Sequence, residues 1–352
     1  MNLLTNFMKK YIRIIFSISF GGLLIWLLFR DTDWKSLFET IKNVKINWLI
    51  LAQVFAWSTY FSRVQRWSYV VRAIHPVTFR SLFSATQIGF LVNFTLPARL
   101  GEMVRAYVLA RLSNLPISQC IAMVTLDRVN DLLCLLLVIF IALFSFPSEQ
   151  NMELAGNVLK NTEPFLISKA LIQKAATSVM IFVCIIFVVL ILLYLNHTMI
   201  FRIFLIFMDP LSRKLTDRLQ VLFSNIAAGM QIFRSKAKML KSIGFSLLTW
   251  ALSVLNIVAI LNAFDKDFPW FTPFLMIAMI AIFISIPLVP GVVGQYHIPI
   301  IACLLLATPE IKLVEIKAIA IIIHVLSMIP IAALGIISLY REKLRFLDFI
   351  LR

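Results

Sequence analysis

Pro97-Ala98-Arg99-Leu100-Gly101-Glu102 interrupts an apolar stretch, and Pro290-Gly291-Val292-Val293-Gly294-Gln295 repeats the pattern near the other end. Both segments read Pro-x-x-x-Gly followed by Glu or Gln. Each follows an apolar run and precedes a helical pattern. Proline removes a backbone donor and glycine loosens a helix. Inside hydrocarbon no water satisfies the groups they free, so such breaks persist only where protein or a water-filled cavity surrounds them. Two breaks at corresponding positions of two halves point to a transporter-like binding site.

The surroundings justify placing these breaks in a membrane. Of 352 residues, 61% are hydrophobic and only 14% charged, far from the balance of a soluble domain. Several apolar runs reach the roughly 20 residues that cross ~30 Å of hydrocarbon. The expected fold is an all-α polytopic membrane protein of one domain, residues 1–352. The net charge of +16 does not indicate nucleic acid, because the basic residues sit between spans, where the positive-inside rule puts them. The four cysteines lie singly in apolar surroundings and read as core residues. The histidines are scattered, so no metal site or cofactor is expected.

Six spans are expected, at about 12–29, 47–62, 117–146, 172–195, 243–263 and 316–340. The first has basic residues ahead of it and no cleavage site after it, so it reads as a retained signal anchor. Segment 30–46 reads as an outside loop with a short surface helix, and 147–169 as an outside loop. Residues 196–241 are cytoplasmic and basic. Within them Leu211, Leu215, Leu219, Leu222, Ile226, Met230 and Phe233 form one face of an amphipathic helix. That helix lies on the anionic inner leaflet or packs on the protein's own cytoplasmic face. The breaks make two hairpins, 81–112 entering from the cytoplasm and 268–307 from outside. Hairpins entering from opposite faces are what an inverted repeat gives; the alternative for either hairpin is two thin spans. Basic flanks place both termini in the cytoplasm.

Chemistry concentrates at the first break. After Pro97 a short helix starts inside the membrane, and its free N–H groups and positive dipole end, with Arg99 alongside, make a phosphate receptor. Glu102 either balances that charge or props the hairpin by pairing with Arg99, Arg105 or Arg128. Arg128 lies roughly 16 Å into its span. Asp131 at i+3 is its partner by helical spacing and Asp127 its neighbour. That pair is structural or lines a cavity. Arg63, Arg66 and Arg72, with Trp67, are either the basic flank of the second span or a phosphate-gripping cluster at the cytoplasmic mouth. At the second break, Gly291 and Gly294 allow tight turning, and Gln295 and His297 form a neutral headgroup contact or a packed hinge. His324 reads as a hydrogen-bonded core histidine.

The run Leu96-Pro-Ala-Arg-Leu-Gly-Glu-Met-Val-Arg-Ala-Tyr-Val-Leu109, with Asp127-Arg-Val-Asn-Asp-Leu-Leu133 after it, resembles the flippase-like transmembrane region of lysylphosphatidylglycerol synthetases. Arg63-x-x-Arg66-Trp67 and the Pro290-Gly291…Gly294 turn fit the same pattern. The resemblance implies an integral inner-membrane protein of bacteria or archaea that moves lipid between leaflets. The sequence departs from the family at Val292, where a second glycine is usual, and at His297, where a glutamate is usual. The chain has no room for a soluble acyltransferase domain, so it is not expected to make lysylphosphatidylglycerol.

The first reading is thus a translocator of phospholipid or polyprenyl-linked lipid, not an enzyme. Arg99, Arg105 and Arg128 would hold an anionic headgroup between the hairpins, with Glu102 and Asp131 balancing charge. The alternatives are a non-transporting partner of an envelope-biosynthesis enzyme, or a metal-dependent transferase using Glu102, Asp127 and Asp131.

Overall fold

The computed structural model describes residues 17, 19–96, 100–145, 152–154, 165–167, four helical positions between 177 and 185, 235–285 and 289–346. Arg99 and Pro97, most of the fourth span and nearly all of the amphipathic segment 196–241 lie outside the described residues. The described chain is built from helices, with one short antiparallel pairing of Met152–Leu154 with Phe165–Ile167.

Helix α1 (Ser19–Phe29) ends where Arg30 and Asp31 close the first apolar run. Helix α2 (Trp34–Lys42) is the short surface helix, capped by the Asp33 side chain, which accepts from Lys35 and Ser36 N–H. Helix α3 (Ile46–Ile74) corrects an expectation. The second span does not end at 62. It continues for 29 residues, about 44 Å, and carries Arg63, Arg66 and Trp67 inside the helix. Partners from other helices neutralise its charges, so nothing forces the helix to stop at the first arginine.

Helix α4 (Phe79–Thr95) and α5 (Gly101–Ser113) form the first hairpin. Helix α6 (Ile117–Ser145) matches the third span, and α7 (Lys236–Asn262) starts seven residues ahead of the expected fifth span. Helix α8 (Thr272–Ser285) and α9 (His297–Ala307) form the second hairpin. Helix α10 (Leu313–Arg341) is the last span. Hairpin helices of 17, 13, 14 and 11 residues span about 16 to 25 Å, short of a ~30 Å hydrocarbon core. The apolar stretch Pro290–Ala307 has the length of a span, but Gly291, Val292 and Gly294 take positive φ of 65°, 49° and 78°. The helix therefore begins only at His297.

Helices α3 and α7 make the most extensive contact, and they are antiparallel. Lys45 N–H donates to the Ala263 carbonyl (2.9 Å) at one end, and Lys238 Nζ to the Arg72 carbonyl (3.0 Å) at the other. Polar side chains fasten them between those ends, as membrane helix pairs require. Ser62 Oγ meets Thr249 Oγ1 (2.8 Å), and Asn256 Nδ2 donates to the Ala52 carbonyl (2.7 Å). This pair fixes the direction of the hairpins. The first opens where α3 ends and α7 begins, the second where α7 ends. They enter from opposite ends of the helix stack.

Proline inside α10 is accommodated by α3. Pro330 cannot donate to the carbonyl four residues back, which belongs to Leu326. Gln53 Nε2 on α3 donates to it instead (2.9 Å). Two large apolar clusters stand out among the described residues. One gathers Val64, Trp67, Leu82, Ile88 and Leu109 around the first hairpin. The other gathers Met276, Ile300, Leu304, Ile319 and Ile323 around the second.

Candidate functional site

The first hairpin closes by backbone contact. A side chain at Gly101 would overlap the Gly89 carbonyl oxygen, and one at Gly89 would lie 2.8 Å from the Gly101 carbonyl oxygen. Only glycine lets α4 and α5 approach so closely. Gly101 N–H donates to Asn93 Oδ1 (2.6 Å), so a donor expected to face a phosphate is already satisfied from α4. Asn93 gave no signal in the sequence, because its partner lies eight residues away across the break.

Beside this crossing is a cluster of seven charges. Asp127 is fully buried between two guanidiniums: Arg66 Nε donates to Oδ1 (2.8 Å) and Arg105 Nη1 to Oδ2 (2.8 Å). The Arg105 guanidinium also lies over the Trp67 ring, 3.6 Å from its centroid. Asp131, one turn on, receives Arg66 Nη1 at 2.5 Å and Arg128 Nη1 at 3.2 Å, and has Arg63 Nη1 at 3.8 Å. Arg128 Nη2 reaches Glu102 Oε1 at 2.7 Å. The expected pair of Arg128 with Asp131 is present, and so is the tie from α6 to the first hairpin. The i,i+4 spacing of Asp127 and Asp131 puts both carboxylates on one face of α6, where a single Arg66 bridges them.

The cluster has an inner and an outer part. Arg66 and Arg105 are 1% and 2% exposed; Arg66 bonds both Asp127 and Asp131, and Arg105 bonds Asp127. Arg66 therefore does not sit at an open cytoplasmic mouth, and Arg105 faces α6. Outside them a cavity of about 470 Å³ opens, with Arg63, Glu102 and Arg128 on its wall. The side chains of Arg63 and Arg128 are 20% and 35% exposed. Arg63 stands between the rings of Phe90 and Trp250, 5.9 and 5.8 Å from their centroids. Tyr60 and Trp250 also line this wall. Pattern reading missed both, because an aromatic residue in an apolar span carries no sign of what it faces.

The opposite wall belongs to the second hairpin and to α10, which carries His324. Tyr296 and His324 line it, as do Val289 and Val292 beside the turn. Phe94 at the end of α4 packs on Gly291, so the two breaks meet across the cavity. His324 Nε2 lies 3.0 Å from the Gly291 carbonyl, which bears out the reading of a hydrogen-bonded histidine. Gln295 Nε2 donates to the Phe283 carbonyl (2.5 Å) and ties the turn to α8. His297 lies behind the wall, its ring perpendicular to that of His324 at 4.8 Å. Gln295 and His297 thus stand in the packed hinge rather than on the cavity surface.

Residues 14–335 match the family model of the lysylphosphatidylglycerol synthase TM region. The chain belongs to that family. A search of curated proteins finds no match. Membership agrees with the break-bearing architecture and makes this a multi-pass membrane domain of a family related to lipid handling. The family resemblance was carried by the sequence around Pro97 and Asp127, and the structure explains why both segments matter together. The glycine crossing positions α5, and Asp127 anchors Arg105 of α5 and Arg66 of α3 to α6.

Proposed function

We propose that this member of the lysylphosphatidylglycerol synthase TM-region family moves phospholipid or polyprenyl-linked lipid between leaflets, holding an anionic headgroup between its hairpins. One observation carries the reading. Beside the cavity lies a cluster of four guanidiniums, Arg63, Arg66, Arg105 and Arg128, against three carboxylates, Glu102, Asp127 and Asp131. The described cluster has one positive charge in excess, and its more exposed cations, Arg63 and Arg128, face the cavity. Uncompensated charge at membrane depth is costly, and an anion at this wall removes the cost. Arginine suits phosphate because its fork donates two parallel bonds. Glu102 holds Arg128 while the site is empty and yields it to the headgroup. Apolar lining from Ile277, Ile280 and Ile331 suits the attached chains.

The same reading puts the protein in the inner membrane of a bacterial or archaeal cell. Both termini and the mouth of the first hairpin are cytoplasmic, as the basic flanks require. A metal-dependent transferase fits less well, because Asp127 and Asp131 are engaged by guanidiniums. A non-transporting partner of an envelope enzyme would share the fold and is separated only by activity.

Purified protein in liposomes carrying a fluorescent anionic phospholipid in one leaflet tests the proposal. Transfer to the other leaflet is expected, with Arg63→Gln plus Arg128→Gln abolishing it in a protein that still folds. Equal transfer by the double variant moves the headgroup site elsewhere. No transfer by the native protein favours the partner reading. External labelling of single cysteines tests orientation: a site at residue 151 should react and one at 238 should not.

A further inference from the structure

The mechanism above leaves two buried histidines unused. His297 opens α9 and His324 lies in the middle of α10, 5% exposed each. Their rings meet edge to face at 4.8 Å. The Gly291 carbonyl accepts only, so His324 Nε2 carries hydrogen and its Nδ1 is free to take a proton. His297 Nδ1 is buried with no hydrogen-bond partner. An orphaned basic nitrogen in a dry site costs about 1–3 kcal/mol, a penalty that packing alone has no reason to retain.

The neighbours show what this pair senses. At the N-cap of α9, Tyr296 stacks on His324 at 5.0 Å. On α3, Tyr60 lines the same cavity as Tyr296. From α1, Phe29 packs on His297 at 5.8 Å. Lys317 on α10 sits beyond that ring, 5.7 Å from its centroid, and donates away from the pair to Thr32. Among the described residues no carboxylate pairs with either histidine. The charges across the cavity are Arg63 and Arg128, with Glu102 bound to the latter. In the empty site every nearby full charge not already neutralised is positive, so the histidines stay neutral. An anion between the two walls reverses that field.

We infer that His297 and His324 form a proton-binding site coupled to headgroup occupancy, so that anionic lipid enters with a proton. The inference rests on the proposed headgroup site. The proton comes from water and goes to Nδ1 of one ring. The two rings share it, since a second positive charge at this separation is repelled. Coupling is reciprocal: if the anion favours protonation, acid favours the anion by the same factor. One linked proton gives at most about a tenfold gain in affinity per pH unit. His324 bonds the turn that carries the second break, so protonation also strengthens its grip on Gly291.

The test uses native protein in phosphatidylcholine nanodiscs, with phosphatidylglycerol as the anionic probe, between about pH 5 and 7.5, where histidines titrate. Proton uptake is followed with an indicator dye in weak buffer, and ring nitrogen resonances of labelled histidine in parallel. Expected are uptake of about one proton per protein and a shift of a His297 or His324 nitrogen on adding phosphatidylglycerol. His297→Gln should abolish the uptake, and His75→Gln, at an exposed helix end, should keep it. No uptake by the native protein overturns the inference, as does uptake that persists in His297→Gln. If His297→Gln fails to fold, the native resonances decide. Phosphatidylglycerol binding that survives Arg63→Gln plus Arg128→Gln sinks the headgroup site instead, whatever the proton result.

Discussion

At the first hairpin, Arg66 and Arg105 close on Asp127, and α4 meets α5 backbone to backbone at Gly89 and Gly101. At the second, no described ion pair holds the break. Its turn is made by positive φ angles at Gly291, Val292 and Gly294, and held by neutral hydrogen bonds from His324 and Gln295. The two hairpins solve one problem, freed backbone inside a membrane, by different chemistry. Charge fixes the first in a single arrangement, because each buried ion needs its partner in place. Neutral bonds of about 1 kcal/mol hold the second, so it is the more easily moved of the two. A cavity with one rigid and one adjustable wall is suited to a cargo that must enter and leave.

The sharpest break in this comparison is Asp127→Ala. It leaves two buried guanidiniums without their shared carboxylate and should cost about 3–5 kcal/mol, read as a large fall in thermal unfolding temperature in detergent. His324→Ala should cost about 1–3 kcal/mol. Equal losses would erase the distinction. The same logic separates Arg128 from Asp131. Arg128→Ala removes a cation only partly buried and should cost under about 1 kcal/mol. Adding Asp131→Ala should not rescue it but worsen it, because Asp131 also holds the buried Arg66.

Backbone substitutions come next. Gly101→Ala drives a methyl into the Gly89 carbonyl and the Asn93 side chain, and should destabilise by about 1–3 kcal/mol. Gly294→Ala drives its methyl against Leu24 Cβ, an atom that side-chain rotation does not move, and adds the strain of a positive φ, so it should cost a comparable amount. Val292 runs the other way. A β-branched residue at φ 49° is strained by about 1–3 kcal/mol, and Val292→Gly should raise the unfolding temperature. A neutral or destabilising result would show that the strain is absent.

The smallest effect is expected at the mouth of the first hairpin. Partial burial pushes the Glu342 carboxyl up, but hydrogen bonds from Ser84, Arg341 and Arg80 outweigh it and hold its pKa below the ordinary 4.5. A lowered carboxylate stabilises the fold above its unfolded pKa and loses that contribution as pH falls through the folded one. Acidification below about pH 4.5 should therefore weaken the α4–α10 contact by under about 1 kcal/mol, after screening by the exposed Arg80 side of this site. Glu342→Gln should remove that part of the acid dependence.

Sequence alone determined the membrane class, both breaks, the ends of α1 and α6, and the pairing of Arg128 with Asp131. These follow from hydropathy, proline and glycine chemistry, and helical spacing, which act within one segment. It misplaced the end of α3, because a run of arginines reads as a cytoplasmic flank unless their partners are known. Those partners, Asp127 and Asp131, lie 61 and 65 residues away from Arg66. The tertiary structure alone decided which arginines are sealed and which face the cavity, that Asn93 caps α5, that Gln53 serves the carbonyl freed by Pro330, and that His297 meets His324. Each of these joins helices distant in sequence, and no local periodicity encodes which face of one helix meets which face of another.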